Sequence, residues 1–587
     1  MGSVSRLTVV MDLLRTTGFE RLTTADGIEV SVVETDGTWT ELDLRLAAGV
    51  GLDLRLEVPL GLGIGYWHPN AGSERTLEAD WAGQTSTSLV SGAPVGCLHD
   101  AAGRSLFAWA LDELVDVLEV RFGISEEHKT FAVELHGHPA DVERRLRFLS
   151  GSATDTLAAS VAHLADWLAG RLAAVPLPVP PVARRPVYST WYTFTQDLDQ
   201  GRVAAETALA ARLGCGSVFV DDGWQRLAVG RGYAGCGDWV PDPAKFPDLV
   251  AFSAEVHDQG AGVVLWIAPL LLGPDAEAFA TLGRFAPHAA ERLACHILDP
   301  RHREVREHLA ATCTRLVVDY DLDGLKIDFL DVAMAYRGTP SSGDTDDVGE
   351  AMQALLALIR ERLAEVGHGD AAVEFRQPYV SPAIGAYGQI LRASDCPADA
   401  VANRRKTIDA RLLAVGQVVH GDMLMWGPSG GPEAVAQQLY ACWFSVPQIS
   451  MALANLADEQ AKALAGLLAL WQEHSAVVLD GTLDVRGSER AYDLVRADRV
   501  DLGRSVIGRY APVVVDLDLP GEVTIMNATA EESVVIRLAA GRSVESGTAR
   551  SASATVVGQV GALAGGLQDV AVPPYGTLTL AVVADAS

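Results

Sequence analysis

The stretch GLKIDFLD, Gly324 to Asp331, reads as a buried strand that carries two charges. Leu325, Ile327 and Phe329 are apolar, and Lys326 and Asp328 alternate with them. A period of two sends Lys326 and Asp328 to one side together. Lysine is scarce in this chain, with Lys129, Lys245, Lys326, Lys406 and Lys462 its full complement, so one of them in a core strand needs a reason. A barrel of parallel strands supplies it. Its strands are covered on both faces, and the interior side at a strand's C-terminal end is where such folds build their sites.

The neighbouring sequence fits that reading. From Val187 onward, short apolar runs alternate with helical ones. VYSTWYTF, SVFVDDGW, AGVVLWIAP, GLKIDFLD, AVEFRQP, QILRASD, VVHGDMLMW and SVPQISMAL read as strands. Segments such as RVAAETALAARLG and DVGEAMQALLALIRERLAEVG read as the helices between them. Eight βα units predict a (β/α)8 TIM barrel over 187–480. Before it, GIEVSVVE, DLRLEV and TFAVELHG alternate with period two, which predicts an N-terminal β-sandwich over 1–150. A helical and proline-rich linker, ending in VPLPVPPVARRP, occupies 151–186. After a helical ADEQAKALAGLLALWQEHSAVVL, short strands return (AYDLVRADR, EVTIMNATA, SVVIRLAAG, YGTLTLAVV) and predict a C-terminal antiparallel β-sandwich over 481–587.

Composition bounds the function. Of the 587 residues, 49% are hydrophobic and 21% charged, as in a globular protein with a large core. The net charge of −30, from 46 basic and 76 acidic residues, disfavours nucleic acid and anionic membrane as partners. Solubility alone would explain that charge as well. Seven cysteines without a CxxC pair argue against a disulfide framework or a structural zinc site, and no metal or other cofactor is expected. The N-terminal MGSVSRLTVVMDLLRTTGFERL lacks an apolar core followed by a small-residue cleavage site, and no other run is long enough to cross a bilayer. A cytoplasmic protein is expected, and homo-oligomerisation is left open.

The predicted strand ends deliver a particular set of side chains. They are Trp191 and Tyr192 from the first strand, Asp221, Asp222 and Trp224 from the second, and Trp266 from the third. The fourth delivers Lys326 and Asp328, the fifth Glu374, Arg376 and Gln377, the sixth Arg392 and Asp395, and the seventh His420, Asp422 and Trp426. Carboxylates, aromatic rings and a few cations around one cup suit a small carbohydrate. Rings cover the apolar faces of a pyranose, and charged groups take its hydroxyls. Two carboxylates about 5–5.5 Å apart can then break a glycosidic bond with retention. Each feature also has a plainer explanation. DDGW favours a turn, Asp395 could cap a following helix, and Lys326 with Asp328 could be a structural ion pair. Their joint occurrence at strand ends favours a site.

At this point the barrel resembles that of the α-galactosidases of glycoside hydrolase family 36, within the clan of retaining α-glycosidases. The resemblance rests on TWYTF (190–194), VDDGWQ (220–225), DWVPDPAKFPD (238–248), HILDPRHREVREHL, LKIDFL (325–330) and RASDCPAD (392–399). It implies a hydrolase with Asp328 as nucleophile and Asp395 as acid/base. It implies that Lys326, Asp221, Asp222, Trp191 and Trp224 bind the sugar. Trp266, Arg376, Gln377, Arg392, Asp399, Arg404 and Asp422 complete the candidate substrate-binding set, together with Trp67 and His68 of the turn-rich GYWHPN (65–70). In this picture Lys326 keeps Asp328 ionised, and Asp395 needs a raised pKa.

The sequence also departs from the family. EFRQPY (374–379) stands where the family carries a cysteine and glycine-rich motif near the sugar's 2-hydroxyl, LWIAPLLL lacks the glutamate expected near Trp266, and the segment from Asp395 to Arg404 is longer than usual. These changes fall around the sugar and leave the catalytic pair alone. The alternatives are a retaining α-glycosidase or transglycosidase for a sugar other than galactose, and a sugar-binding relative without activity. A metal-dependent barrel hydrolase would need an HxH on the first strand, which VYSTWYTF lacks.

Overall fold

The computed structural model describes residues 18–72, 75–151, 155–172 and 175–584. Most of the N-terminal stretch read above for a signal peptide lies outside these residues.

Eight parallel strands form the central sheet. They are β1 (Val187–Ser189), β2 (Ser217–Val220), β3 (Gly262–Ile267), β4 (Gly324–Ile327), β5 (Ala372–Arg376), β6 (Ile390–Arg392), β7 (Val418–His420) and β8 (Gln448–Ile449). Each pairs in parallel with the next from β1 to β7, and β8 pairs with β1. The ring closes between β7 and β8 through the bridge His420–Val446, where the Val446 N–H donates to the Val419 carbonyl at 2.9 Å. Every residue of β3, GVVLWI, is buried, as two-sided coverage requires.

The strands are shorter than the apolar runs suggested. VYSTWYTF is a strand only to Ser189, and Trp191–Phe194 forms a helical turn. In GLKIDFLD the strand stops at Ile327, and Phe329 takes a left-handed backbone (φ 55°). Alternation therefore ends at the acid. Lys326 and Asp328 share a side as expected, and Phe329 turns inward to join them.

Helices α1 (Gln200–Arg212), α2 (Leu249–Asp258), α3 (Arg303–Asp319), α4 (Val348–Glu365), α5 (Ala400–Leu413), α6 (Pro432–Ala441) and α7 (Asp458–Asp480) surround the barrel. Aspartates start several of them. The carboxylates of Asp199, Asp248, Asp347 and Asp399 accept first-turn N–H groups that would otherwise lack partners.

On the N-terminal side, a five-stranded sheet and a six-stranded sheet, both antiparallel, enclose a core that includes Leu44, Leu54, Phe131 and Phe148. On the C-terminal side, a seven-stranded and a three-stranded sheet enclose Ile525, Ile536 and Leu580. This second sandwich is not wholly antiparallel. Arg504–Arg509 runs parallel to Gly521–Asn527, and Val515–Leu517 parallel to Ser533–Leu538.

Candidate active site

Asp328 follows β4 directly, and both of its oxygens are engaged. Trp266 Nε1, from β3, donates to Oδ2 at 3.1 Å. The Phe329 N–H donates to Oδ1 at 2.7 Å, and Arg376 Nε, from the end of β5, donates to the same oxygen. Burial alone would raise the pKa of this carboxyl. Arg376, then Lys326 and Arg392, together with the Trp266 hydrogen bond, outweigh burial and hold it well below the usual carboxylate range.

Lys326 does not pair with Asp328. Its Nζ lies 2.5 Å from Asp221 Oδ2, both side chains being buried. Lys326 still helps to keep Asp328 ionised, as expected, but it is not the largest contributor. Arg376 has that place, and Lys326 acts from further away. The reason is alternation across strands: Lys326 faces the start of the β2 turn, whereas Arg376 reaches over from the adjacent strand to the turn that carries Asp328.

Asp221 and Asp222 leave β2 at a turn that only glycine can complete. Gly223 has φ 122°, and a Cβ there would come within 2.6 Å of the Gln196 backbone. Asp222 accepts from Gln196 Nε2 and Gln225 Nε2, each at 2.7 Å. Burial pushes its carboxyl up to about 6 against those two bonds. Burial also raises Asp221, with Lys326 opposing.

Asp395 sits three residues past β6 with its side chain 54% exposed, and Arg392 Nη2 lies 3.0 Å from its Oδ1. The raised pKa expected of this residue is not what the structure holds. Desolvation and the charge of Asp328 raise it, but Arg392, Lys326 and Arg376 bring it below its ordinary value. Arg392 is itself fully buried. It also lies 2.6 Å from Asp422 Oδ1 and 3.4 Å from Glu374 Oε1. Asp422 in turn accepts from the Tyr192 hydroxyl at 3.0 Å and from the Cys396 N–H at 2.6 Å. Arg392 and Asp422 therefore brace the wall behind Asp395.

Trp191, Asp221, Asp222, Trp266, Lys326, Asp328, Arg376 and Asp395 line one pocket with Tyr233, Phe329 and Met423. Its cavity is only about 50 Å³, room for a few waters. Arg231 stacks over Trp191 at the rim, 5.6 Å from the ring centroid. Trp224 stands behind this wall, buried, with Nε1 donating to the Trp266 carbonyl at 2.9 Å. Gln377 braces the same wall by donating to the Lys406 carbonyl and accepting from the Ser394 N–H.

The remaining candidates lie elsewhere. Asp399 is spent on the N-terminus of α5, where it accepts from the Ala402 N–H at 2.9 Å. The cap anticipated for Asp395 is thus supplied four residues later. Arg404 Nε donates to the Ala491 carbonyl at 2.6 Å, and its guanidinium covers the Tyr510 ring, so it ties α5 to the C-terminal sandwich. Trp67 is fully buried and donates to Asp409 and to the Tyr492 hydroxyl. His68 packs on Tyr66 and Phe122, and burial pushes its imidazole down to about 3. The turn residues of GYWHPN suggested a loop, whereas Gly65–Trp67 is a strand within a sheet.

Sequence reading missed Tyr233 and Met423. Tyr233 comes from a glycine-rich loop whose composition carries no period, whereas Met423 and Phe329 lay in stretches already read as strands. Among the described residues no cluster of His, Cys, Asp and Glu is suited to a metal ion, and no helix is long and apolar enough to cross a membrane.

Residues 181–363, from β1 to α4, match the Melibiase family. Over 148 residues the chain is 30% identical to alpha-galactosidase 2 of Pediococcus pentosaceus, covering 24% of this chain and 20% of that protein. Over 153 residues it is 26% identical to alpha-galactosidase Mel36A of Lactobacillus acidophilus, covering 25% and 20%. The matched segment thus spans about a fifth of the length of these curated relatives. The fold extends much further. The family 36 α-galactosidase AgaA of Geobacillus stearothermophilus, solved with raffinose, superposes with a TM-score of 0.64 over 95% of this chain and 81% of its own, at 13% identity. The Lactobacillus brevis α-galactosidase gives 0.63 over 97% and 86%, also at 13% identity. The first half of the barrel thus matches the Melibiase family and aligns with α-galactosidases, and the fold of nearly the whole chain is like that of the solved family 36 α-galactosidases.

Proposed function

We propose that the protein is a retaining α-glycoside hydrolase of α-galactosidase type that works by double displacement. The observation that carries this reading is the Asp328 carboxylate, held ionised and fixed in plane within a pocket that also receives Asp395. In the first step an Asp328 oxygen bonds to the anomeric carbon as the glycosidic C–O bond breaks, and the leaving oxygen takes a proton from Asp395. In the second, water attacks the same carbon, Asp395 takes its proton, and the ester bond to Asp328 breaks.

Electrostatics supports the second half of this exchange. The negative charge of Asp328 raises Asp395, but Arg392, Lys326 and Arg376 outweigh it and favour the carboxylate. Once Asp328 is an ester its raising influence is gone, and Arg392 favours the carboxylate that activates water. Asp221, Asp222 and Lys326 would accept and donate to sugar hydroxyls, with Trp191 and Trp266 against the ring. Arg376 favours a second reading, a retaining enzyme for another sugar, because it fills space beside the reacting carboxylate. Transfer to an acceptor sugar instead of water remains within the same chemistry. The described cysteines are all free and buried, in keeping with a reducing cytoplasm as the proposed location. The chain divides into its domains near residues 150, 186 and 480.

A panel of aryl α-glycosides carrying galactose, glucose, N-acetylgalactosamine and arabinose tests the proposal. Turnover is expected on the galactoside, with the α-anomer of the sugar released first. Release of the β-anomer would overturn retention, and turnover confined to another sugar would select the second reading.

A further inference from the structure

Arg376 is held on several sides in a way that sugar binding does not require. It ends β5, beside β4, and its side chain is 16% exposed. Nε donates to Asp328 Oδ1, and Nη1 donates to the Gln377 carbonyl at 2.8 Å. Nη2 lies 3.4 Å from Asp331 Oδ1, which also accepts from the Tyr379 hydroxyl at 3.2 Å. The guanidinium stands over the rings of Phe329 and Tyr379, 5.2 and 5.7 Å from their centroids. Opposite it, Trp266 secures the other oxygen of Asp328. The carboxylate plane is thereby fixed from two sides, and the guanidinium bridges two aspartates.

We propose that Arg376 is a positioning residue for the reaction, fixing the plane and the charge of Asp328 in the free protein and remaining paired to Asp331 when Asp328 becomes an ester. This rests on the reading of Asp328 as nucleophile. Glycosylation converts that anion into a neutral ester, and a guanidinium with no other anion would be left buried and unpaired. Asp331, on the turn that follows Asp328, prevents this.

The other charged groups facing Asp328 are committed elsewhere. Lys326 on β4 pairs with Asp221, and Arg392 on β6 serves Asp422, Glu374 and Asp395. Tyr233 and Tyr379 are pushed up by burial and stay neutral. Burial likewise raises Asp331, with Arg376 opposing. Arg376 is thus the cation in direct contact with the reacting carboxylate.

Arg376→Met and Arg376→Lys in the full chain test this. One readout is the pH profile of kcat/KM on an aryl α-galactoside. The other is the carboxyl carbon signal of Asp328 in protein carrying 13C-labelled aspartate, assigned by its loss in Asp328→Asn. In Arg376→Met, kcat/KM is expected to fall about a hundredfold from misplacement. Its acid limb and the Asp328 titration should both move to higher pH. Arg376→Lys keeps the charge but not the fixed fork of donors, so the limb should stay low while kcat falls. Should the methionine variant not fold, Arg376→Gln replaces it as the uncharged arm. A wild-type Asp328 titration in the uncharged variant would overturn the proposal. Full activity in Asp328→Asn would instead overturn the nucleophile reading, and the catalytic half of the proposal with it.

Discussion

Two buried networks in this molecule have nearly the same ingredients and different surroundings. At the barrel mouth, Lys326, Arg376 and Arg392 meet Asp221, Asp328, Asp395 and Asp422 among aromatic rings. At the junction of the barrel with both sandwiches, Arg75 and Trp67 meet Asp409 of α5 and Tyr492 of the C-terminal part. In the second network Trp67, Arg75 and Tyr492 all donate to one carboxylate, that of Asp409. All four members of that cluster are buried and hydrogen-bond to one another. In the first, the carboxylates of Asp328 and Asp395 line a cavity. Charge, burial and aromatic company describe both, so those properties alone do not make a site. Empty space facing a reactive group does.

Four substitutions can break or sharpen this contrast. The largest effect is expected from Asp328→Asn, which should lower turnover of aryl α-galactosides by about four orders of magnitude. Azide should then yield a β-glycosyl azide, and the melting temperature should barely change. Normal turnover in this variant would remove Asp328 from the chemistry. Asp409→Ala should do the reverse. It strands the buried Arg75 and should cost about 3–5 kcal/mol of stability in denaturant titrations, with KM unchanged in the protein that stays folded. A raised KM at full stability would mean that the junction reaches the pocket after all.

Asp222 offers a finer probe. Its carboxyl is pushed up to about 6, so it is neutral below that pH and accepts hydroxyl protons less well. kcat/KM should therefore fall on the acid side of pH 6, and Asp222→Asn should erase that inflection. An unaltered profile would assign the inflection to another group. The smallest effect belongs to Asp399→Ala. Loss of the α5 cap should cost about 1 kcal/mol and leave KM alone, whereas a changed KM would return Asp399 to the substrate-binding set.

Several of these distinctions are legible in the sequence alone. The alternation in GLKIDFLD, the turn in VDDGWQ and the spacing of apolar runs were enough to expect a barrel with Asp328 and Lys326 on its inner side. They were also enough to put Asp221, Asp222, Trp191, Trp266 and Asp395 around one pocket. Local pattern works there because a parallel strand presents its last residues to the mouth whatever their partners are. Partner choice was not legible. Lys326 is two residues from Asp328 in sequence and pairs with Asp221, while Arg376, 48 residues away, takes Asp328.

The sequence by itself determined the order of sandwich, barrel and sandwich, and which strands carry the carboxylates proposed to react. Periodicity and turn chemistry are local and survive without knowledge of the fold. Only the tertiary structure decided that Trp67, Asp399 and Arg404 serve helices and domain contacts, and that Asp395 rests on Arg392 with its pKa held down. Only it decided that Arg376 touches the proposed nucleophile. Those outcomes depend on distances between strands and on which buried charges must find a partner, and one-dimensional spacing does not encode them.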